Sequence, residues 1–280
     1  MKEIANNIYV ETGFHGANVG AIITEAGAVL VDTPMIPADA WRWLRRIARL
    51  SKEGIAFVIS TDYSPVRTLG NCFFPAPSIA HENTWSEIKA HGEAALQRYI
   101  EHFKEKEPKT AADLADVRIV LPEITLTDGL AIHKGQRAIE IMYLGGHTPA
   151  TLGVYVPDSK VLFSSDVVAT ERHVNLSQAQ SLEWLQSLER LSQMDIETIV
   201  PGHGEPCPAS AIAPLIEYIT EMRRQVQEQY QSGNSRRETV DKVRATMLER
   251  FPAPAGAKDA LARQVRASIE RVYEEIRKGS

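Results

Sequence analysis

Arg137-Ala-Ile-Glu-Ile-Met-Tyr-Leu144, Gly145-Gly146-His147-Thr148-Pro149, Thr151-Leu-Gly-Val-Tyr-Val156, a Pro157-Asp-Ser turn and Val161-Leu-Phe-Ser-Ser-Asp166: this stretch decides how the chain folds. Three short apolar or alternating runs, separated by Gly and Pro clusters, are strand signals. Two of the runs lead to a residue able to bind a metal, His147 and Asp166. Downstream, Thr198-Ile-Val-Pro-Gly-His203-Gly repeats the arrangement, with a short apolar strand, a glycine and a histidine just past its end. Side chains set just past strand ends are able to meet along one edge of a sheet.

Gly145-Gly146-His147-Thr148-Pro149, Phe163-Ser164-Ser165-Asp166 and Pro201-Gly202-His203-Gly204 resemble three metal motifs of the metallo-β-lactamase superfamily, at about that family's spacing. Read without the resemblance, they are a glycine-rich turn with a surface histidine and an aspartate capping the next segment. The resemblance covers roughly residues 1–208. It implies an α/β fold, a four-layer αββα sandwich, with residues 209–280 as a C-terminal helical extension packed on it. In glyoxalase II-like relatives a helical tail of this kind helps wall the pocket. A homodimer face and simple core cover are the other readings of the tail.

The family's remaining motif, His-x-His-x-Asp-His before a Gly-Asn, belongs after the buried strand Ile55-Ala-Phe-Val-Ile-Ser60. The chain has Thr61-Asp62-Tyr63-Ser64-Pro65-Val66-Arg67-Thr68-Leu69-Gly70-Asn71 there. Asp62 and Ser64 stand in place of two histidines, Val66 replaces the aspartate, and Arg67 replaces the third histidine. No register shift restores the motif, because no histidine lies between Gly16 and His81. A two-zinc site needs roughly three protein ligands per ion, so a two-zinc centre is not expected. The expected site holds at most one divalent metal (Zn, Fe or Mn) on Asp62, His147, Asp166 and His203, a mixed nitrogen and oxygen set. Asp62 is alternatively a general base. In a metal-free reading, Arg67 supplies a permanent cation paired with Asp166 where a second metal would sit.

Working outward, residues 4–32 read as three strands, Ile8-Tyr-Val10, Val19 to Thr24 and Ala28 to Val31, ending on Asp32. The resemblance makes Asp32 a structural brace for the metal loop and Phe14 and His15 part of a flap over the pocket. Phe14, His15, Tyr63 and His173 are the candidate substrate contacts. His173 lies with Glu171 and Arg172 in a loop from Val167 to Ser181 that borders the pocket in the family. Pro37 to Leu50 reads as a helix with Trp41, Leu44, Ile47 and Ala48 as its apolar stripe. Thr84 to Glu107 reads as a long helix and residues 117–132 as strands. Gln180 to Arg190 reads as a further helix. The tail reads as three helices: about 209 to 231, one opened by the capping box Ser235-Arg-Arg-Glu238, and one carrying Leu261, Val265, Ile269, Val272 and Ile276.

A chain of 280 residues is long enough to bury a full core. Its formal net charge of −5 leaves no electrostatic footprint for nucleic acid or an anionic membrane. No apolar run approaches a membrane span, and Met1-Lys-Glu-Ile-Ala-Asn-Asn-Ile carries no apolar signal core, so the expected location is cytoplasmic. The two cysteines, Cys72 and Cys207, lack motif spacing and read as packing residues. The expected function is hydrolysis of a small ester, thioester, amide or lactone at an altered site. The competing readings are a metal-free small-molecule binding protein and an interaction protein using its helical tail.

Overall fold

A computed structural model describes residues 1–170, 172–251 and 256–279. The chain divides into two compact units. One is Met1–Tyr143, Ala150–Ser165 and Asp195–Pro206; the other is Leu144–Pro149, Asp166–Met194 and Cys207–Ser280. Glu171 lies outside the described residues.

Among the described residues, the first unit holds all the strands. Seven of them, β1 (Lys2–Ala5), β2 (Ile8–Glu11), β3 (Val19–Thr24), β4 (Gly27–Val31), β5 (Ile55–Ile59), β6 (Ser78–His81) and β7 (Ile124–Leu126), form one sheet in that order. Antiparallel pairing runs from β1 to β4, and parallel pairing from β4 to β7. The second sheet runs β12-β11-β10-β9-β8, from β8 (Gly129–Lys134), β9 (Arg137–Tyr143), β10 (Leu152–Val156), β11 (Val161–Ser165) and β12 (Thr198–Pro201). The β11–β12 pair is parallel, and the rest of that sheet is antiparallel.

The two-residue period of a strand explains the layering. On β3 and β4, Ile22, Val29 and Val31 join a core shared with Ile139, Ile141, Val154, Val161 and Phe163 of the other sheet. Their neighbours Val19, Ala21, Ala28 and Leu30 face the opposite way, onto Ala40, Trp43 and Ile47 of helix α1 (Pro37–Leu50). Gly20 is fixed by this sandwich, because an added Cβ would stand 2.2 Å from the Phe163 ring.

The expected helix over 37–50 forms as read, but its apolar stripe is shifted. Ala40, Trp43 and Ile47 are buried, whereas Trp41 is 48 % exposed and lies edge-on to Phe73 at 5.5 Å. Two tryptophans two residues apart fall on different helix faces, and the set Ala40, Trp43 and Ile47 meets the sheet. The N-terminal region has four strands rather than three. β1 pairs with β2 through a turn in which Asn7 takes φ 60°, a conformation Asn tolerates. The charged segment after α3 (Glu82–Lys104) turns into a short helix, α4 (Pro108–Leu114), started by Pro108. Of residues 117–132, only 124–126 and the start of β8 are strand.

The second unit is helical: α5 (Ser181–Ser192), α6 (Ile212–Gln231), α7 (Arg236–Leu248) and α8 (Lys258–Lys278). The Ser235 capping box forms as the sequence indicates, with both reciprocal bonds to Glu238. Val265, Ile269 and Val272 of α8 are fully buried, as are Ile219, Met222 and Val226 of α6. Mixed sheets with flanking helices and a C-terminal helical run make up the expected α/β fold class. Among the described residues, no helix is long and apolar enough to cross a membrane.

Candidate functional site

The candidate residues are divided between the two units. In the first, α2 (Pro65–Thr68) follows the loop after β5, and the segment is buried although it is polar: Ser60, Thr61, Asp62 and Arg67 are each 1 % exposed. Buried polar groups must be hydrogen-bonded to be tolerated, and Asp32 is the hub that meets this need. Its carboxylate accepts the Thr61 amide at 2.8 Å, the Thr61 hydroxyl at 2.7 Å and Arg67 Nη1 at 2.8 Å. Burial pushes the Asp32 carboxyl above its ordinary pKa, opposed first by the Arg67 charge and then by the Thr61 donors. Asp32 itself sits at φ 58°, which places its side chain between β4 and the β5 loop. The expectation that Asp32 braces this loop therefore has a direct geometric basis.

The backbone of the same loop is held from two sides. Thr33 N donates to the Arg67 carbonyl at 3.2 Å, and the Thr33 hydroxyl lies 2.8 Å from Asn71 Oδ1. Asn71 Nδ2 reaches Ser60 Oγ at 3.0 Å. Gly70 permits this closure, because a Cβ there would meet the Pro34 carbonyl oxygen at 2.1 Å. From the second sheet, Leu152 N donates to the Thr61 carbonyl at 2.8 Å, and the Thr151 hydroxyl donates to Asp62 Oδ2 at 2.9 Å. His203 is half-buried on the loop after β12. That loop is pinned by Asn18, whose Nδ2 donates to the carbonyls of Pro201 at 2.8 Å and Gly204 at 2.7 Å.

The candidate substrate contacts of this unit are placed differently from one another. Phe14, expected on a flap, is 8 % exposed, and its ring packs edge-on against Trp43 at 6.1 Å, beneath Arg42 and Arg46. Phe14 is thus part of the core under α1. His15 is exposed, its ring 5.6 Å from that of Phe103. Tyr63 is half-buried between Asp62 and Ser64.

In the second unit, His147 and Asp166 are both half-buried, and α5 organises the loops that carry them. Gly146 N donates to Glu183 Oε2 at 2.9 Å, Gln180 N donates to the Gly146 carbonyl at 2.8 Å, and Ser187 Oγ donates to the Leu144 carbonyl. Gly146 has φ 72° and approaches α5 so closely that a Cβ would lie 2.4 Å from Trp184 Cα. Trp184 links the two loops: its ring meets the His147 ring edge-on at 5.4 Å, and its Nε1 donates to the Val167 carbonyl at 2.9 Å, next to Asp166. The start of α5 is tied to the tail by Glu275, 5 % exposed, which accepts from Ser181 N and Oγ and from Arg223 Nη1. Sequence reading missed Glu183, Trp184 and Glu275 as organisers. Trp184 stands in the sequence only as one apolar residue of the 180–190 helix, and Glu275 is 94 residues from its partner Ser181.

His173 is 6 % exposed, with Nδ1 at 3.1 Å from Tyr218 Oη and Nε2 at 3.1 Å from the Phe251 carbonyl. Burial lowers its pKa. Both ring nitrogens are engaged by tail residues, so the geometry describes a structural histidine of the second unit. The cysteines are free, and burial pushes the Cys207 thiol pKa up.

Val66 has no ligand atom, Arg67 is a permanent cation engaged with Asp32, and among the described residues no three His, Cys, Asp or Glu side chains gather closely enough to hold an ion.

Comparison with known proteins places this geometry in context. Residues 74–203 match the model of the metallo-beta-lactamase superfamily. Acyl-coenzyme A thioesterase MBLAC2 of Bos taurus and of Homo sapiens is 30 % identical over 92 residues, 31 % of this chain and 33 % of the relative. The chain thus matches about a third of the length of these curated relatives. A metallo-beta-lactamase from Pontibacter korlensis superposes with TM-score 0.63 at 20 % identity, covering 78 % of this chain and 97 % of that one. A metallo-beta-lactamase family protein from Thermus thermophilus gives 0.66 at 17 % identity, over 99 % and 95 % of the two chains. The sec-alkylsulfatase Pisa1 from Pseudomonas sp. gives 0.73 at 12 % identity, over 98 % and 49 %. At these identities the structures establish the shared fold.

Proposed function

We propose that this chain, which matches the metallo-beta-lactamase superfamily model over residues 74–203 and shares the fold of its solved members, hydrolyses a small carbonyl ester, with a thioester as the preferred class. The observation that carries the proposal is the polar cluster after β5. A carboxylate (Asp62) and a guanidinium (Arg67) are both 1 % exposed, each oriented by a second buried residue, Thr151 and Asp32. Carbonyl hydrolysis needs a base to take a proton from water and fixed positive charge to stabilise the developing oxyanion. Asp62 is the proposed base, with Thr151 fixing its rotamer. Arg67 is the proposed source of fixed charge, held by Asp32 so that no reorganisation is needed during reaction. His203, on the loop after β12 of the same unit, is the further polar residue of this reading. At most one divalent ion (Zn, Fe or Mn) belongs to this reading, and no step is assigned to it. The likeness to an acyl-coenzyme A thioesterase over 92 residues supports the thioester class.

The test is thiol release from a panel of acyl-coenzyme A esters, beside p-nitrophenyl esters and lactones. Protein purified without chelator is used, with elemental analysis of the same sample. Thioester turnover that falls by roughly a hundredfold or more in Asp62→Asn supports the reading. Turnover unchanged in Asp62→Asn overturns the assignment of the base. A second reading, a metal-free small-molecule binding protein, is favoured by the buried Arg67–Asp32 pair at 2.8 Å, which gives the loop a permanent cation of its own. It takes over if no ester, thioester or lactone is hydrolysed while members of the panel still raise the melting temperature.

A further inference from the structure

Away from the motif residues, helices α7 and α8 flank an open surface cavity of about 290 Å³ lined by Arg237, Val240, Asp241, Arg244 and Arg266. Three guanidiniums and one carboxylate give this lining a formal charge of +2, on a chain whose net charge is −5. The surrounding arginines show what an ordinary solvated helix face does here. Arg224 pairs with Glu221 and Glu228, Arg277 with Glu274, and Arg236 with Glu274. Arg237 and Arg244 depart from that pattern, as does Arg263 of α8 outside the lining. Asp241 lies four residues after the first and three before the second, the spacing at which helical ion pairs form, and yet neither arginine makes a carboxylate pair within 4.0 Å among the described residues. Arg266 enters from the other helix and is partly neutralised by Glu270 at 2.9 Å. The cavity floor is apolar, with Val240 only 4 % exposed.

We propose that this cavity is a binding site for a phosphate-bearing small molecule. Guanidinium forks match the tetrahedral oxygens of a phosphate, and charge-assisted bonds to it are among the stronger polar contacts. Arg237 and Arg244, two turns apart on one helix face, and Arg266 on the facing helix approach the anion from different directions. The cavity is near the lower limit of about 300 Å³ for small-molecule sites, which suits a phosphate or diphosphate group and leaves the rest of the ligand outside. The proposal is independent of the hydrolase reading, since it uses none of that reading's residues.

The experiment is calorimetric titration of the full chain with inorganic phosphate and with pyrophosphate at low ionic strength, where screening is weakest. Three proteins are compared: wild type, Arg237→Gln with Arg244→Gln, and Arg236→Gln with Lys242→Gln. The last loses the same two charges from the same helix but from residues outside the cavity lining. One saturable site is expected in the wild type, with pyrophosphate the tighter ligand. Binding weakens by roughly tenfold or more in the cavity variant and by under about twofold in the charge-matched control. Absence of saturable binding in the wild type overturns the proposal, and so does equal weakening in the two variants. Helical circular dichroism of all three, expected to be unchanged because the substituted residues are exposed, shows that the loss is not unfolding.

Discussion

Replacing Arg67 by Met tests the centre of the altered loop most directly. The Arg67–Asp32 pair is 2.8 Å long, with side chains 1 % and 4 % exposed, so solvent cannot take over for a missing partner. Met keeps most of the volume and removes the charge, leaving the Asp32 carboxylate with the two Thr61 donors. Breaking a buried pair from one side costs about 3–5 kcal/mol. At roughly 2–4 °C per kcal/mol for a chain of this size, the melting temperature should fall by roughly 6–20 °C. The loss also depends on pH. Burial already raises the Asp32 pKa, and Arg67 is the largest cause opposing that rise; without Arg67 the folded value rises further. A carboxyl whose folded pKa lies above its unfolded value contributes stability at low pH and loses it as pH rises through the folded value. Arg67→Met should therefore be less destabilised at pH 5 than at pH 8, and Asp32→Asn with Arg67→Met should lose most of that difference. Urea denaturation of the two single variants and the double variant at both pH values gives the coupling energy, expected at about 2 kcal/mol or more. A single variant within about 1 kcal/mol of wild type at pH 8, or a double variant whose losses simply add, would refute the reasoning.

Metal uptake along the series Arg67→His, then Arg67→His with Val66→Asp, then both with Asp62→His and Ser64→His, should rise stepwise in zinc titrations. Val66→Asp alone matching the double variant would show that Arg67 is no obstacle. Gly146→Ala places a methyl against the α5 backbone at a φ of 72° and should destabilise by about 2–5 kcal/mol; a thermal melt within a degree of wild type would mean that α5 shifts freely. His173 has a folded pKa below its ordinary value, so the unfolded chain binds the proton better, and its contribution is lost as pH falls below about 6.5. The stability difference between wild type and His173→Gln should accordingly shrink between pH 7.5 and pH 5.5, and a difference independent of pH would contradict this.

The sequence by itself determined the pieces whose cause is local. The helix over 37–50, the Ser235 capping box and the strands around Gly145 and Gly202 follow from turn chemistry and from the repeat of apolar residues along the chain. The lack of any histidine between Gly16 and His81 was equally plain in the residues. What the residues could not supply was the identity of distant partners. Arg67 engages Asp32, 35 positions away, a pairing that nothing in the loop's own sequence announces. His173, expected near substrate, spends both ring nitrogens on Tyr218 and Phe251, 45 and 78 positions away. Trp41 and Trp43 are equally apolar in the sequence, and only the sheet beneath α1 selects the second. Helical and strand periods are set by covalent geometry within a few residues, so they can be read along the chain. The partner of a buried charge is set by which surfaces meet when the whole unit packs, and that is decided only in three dimensions.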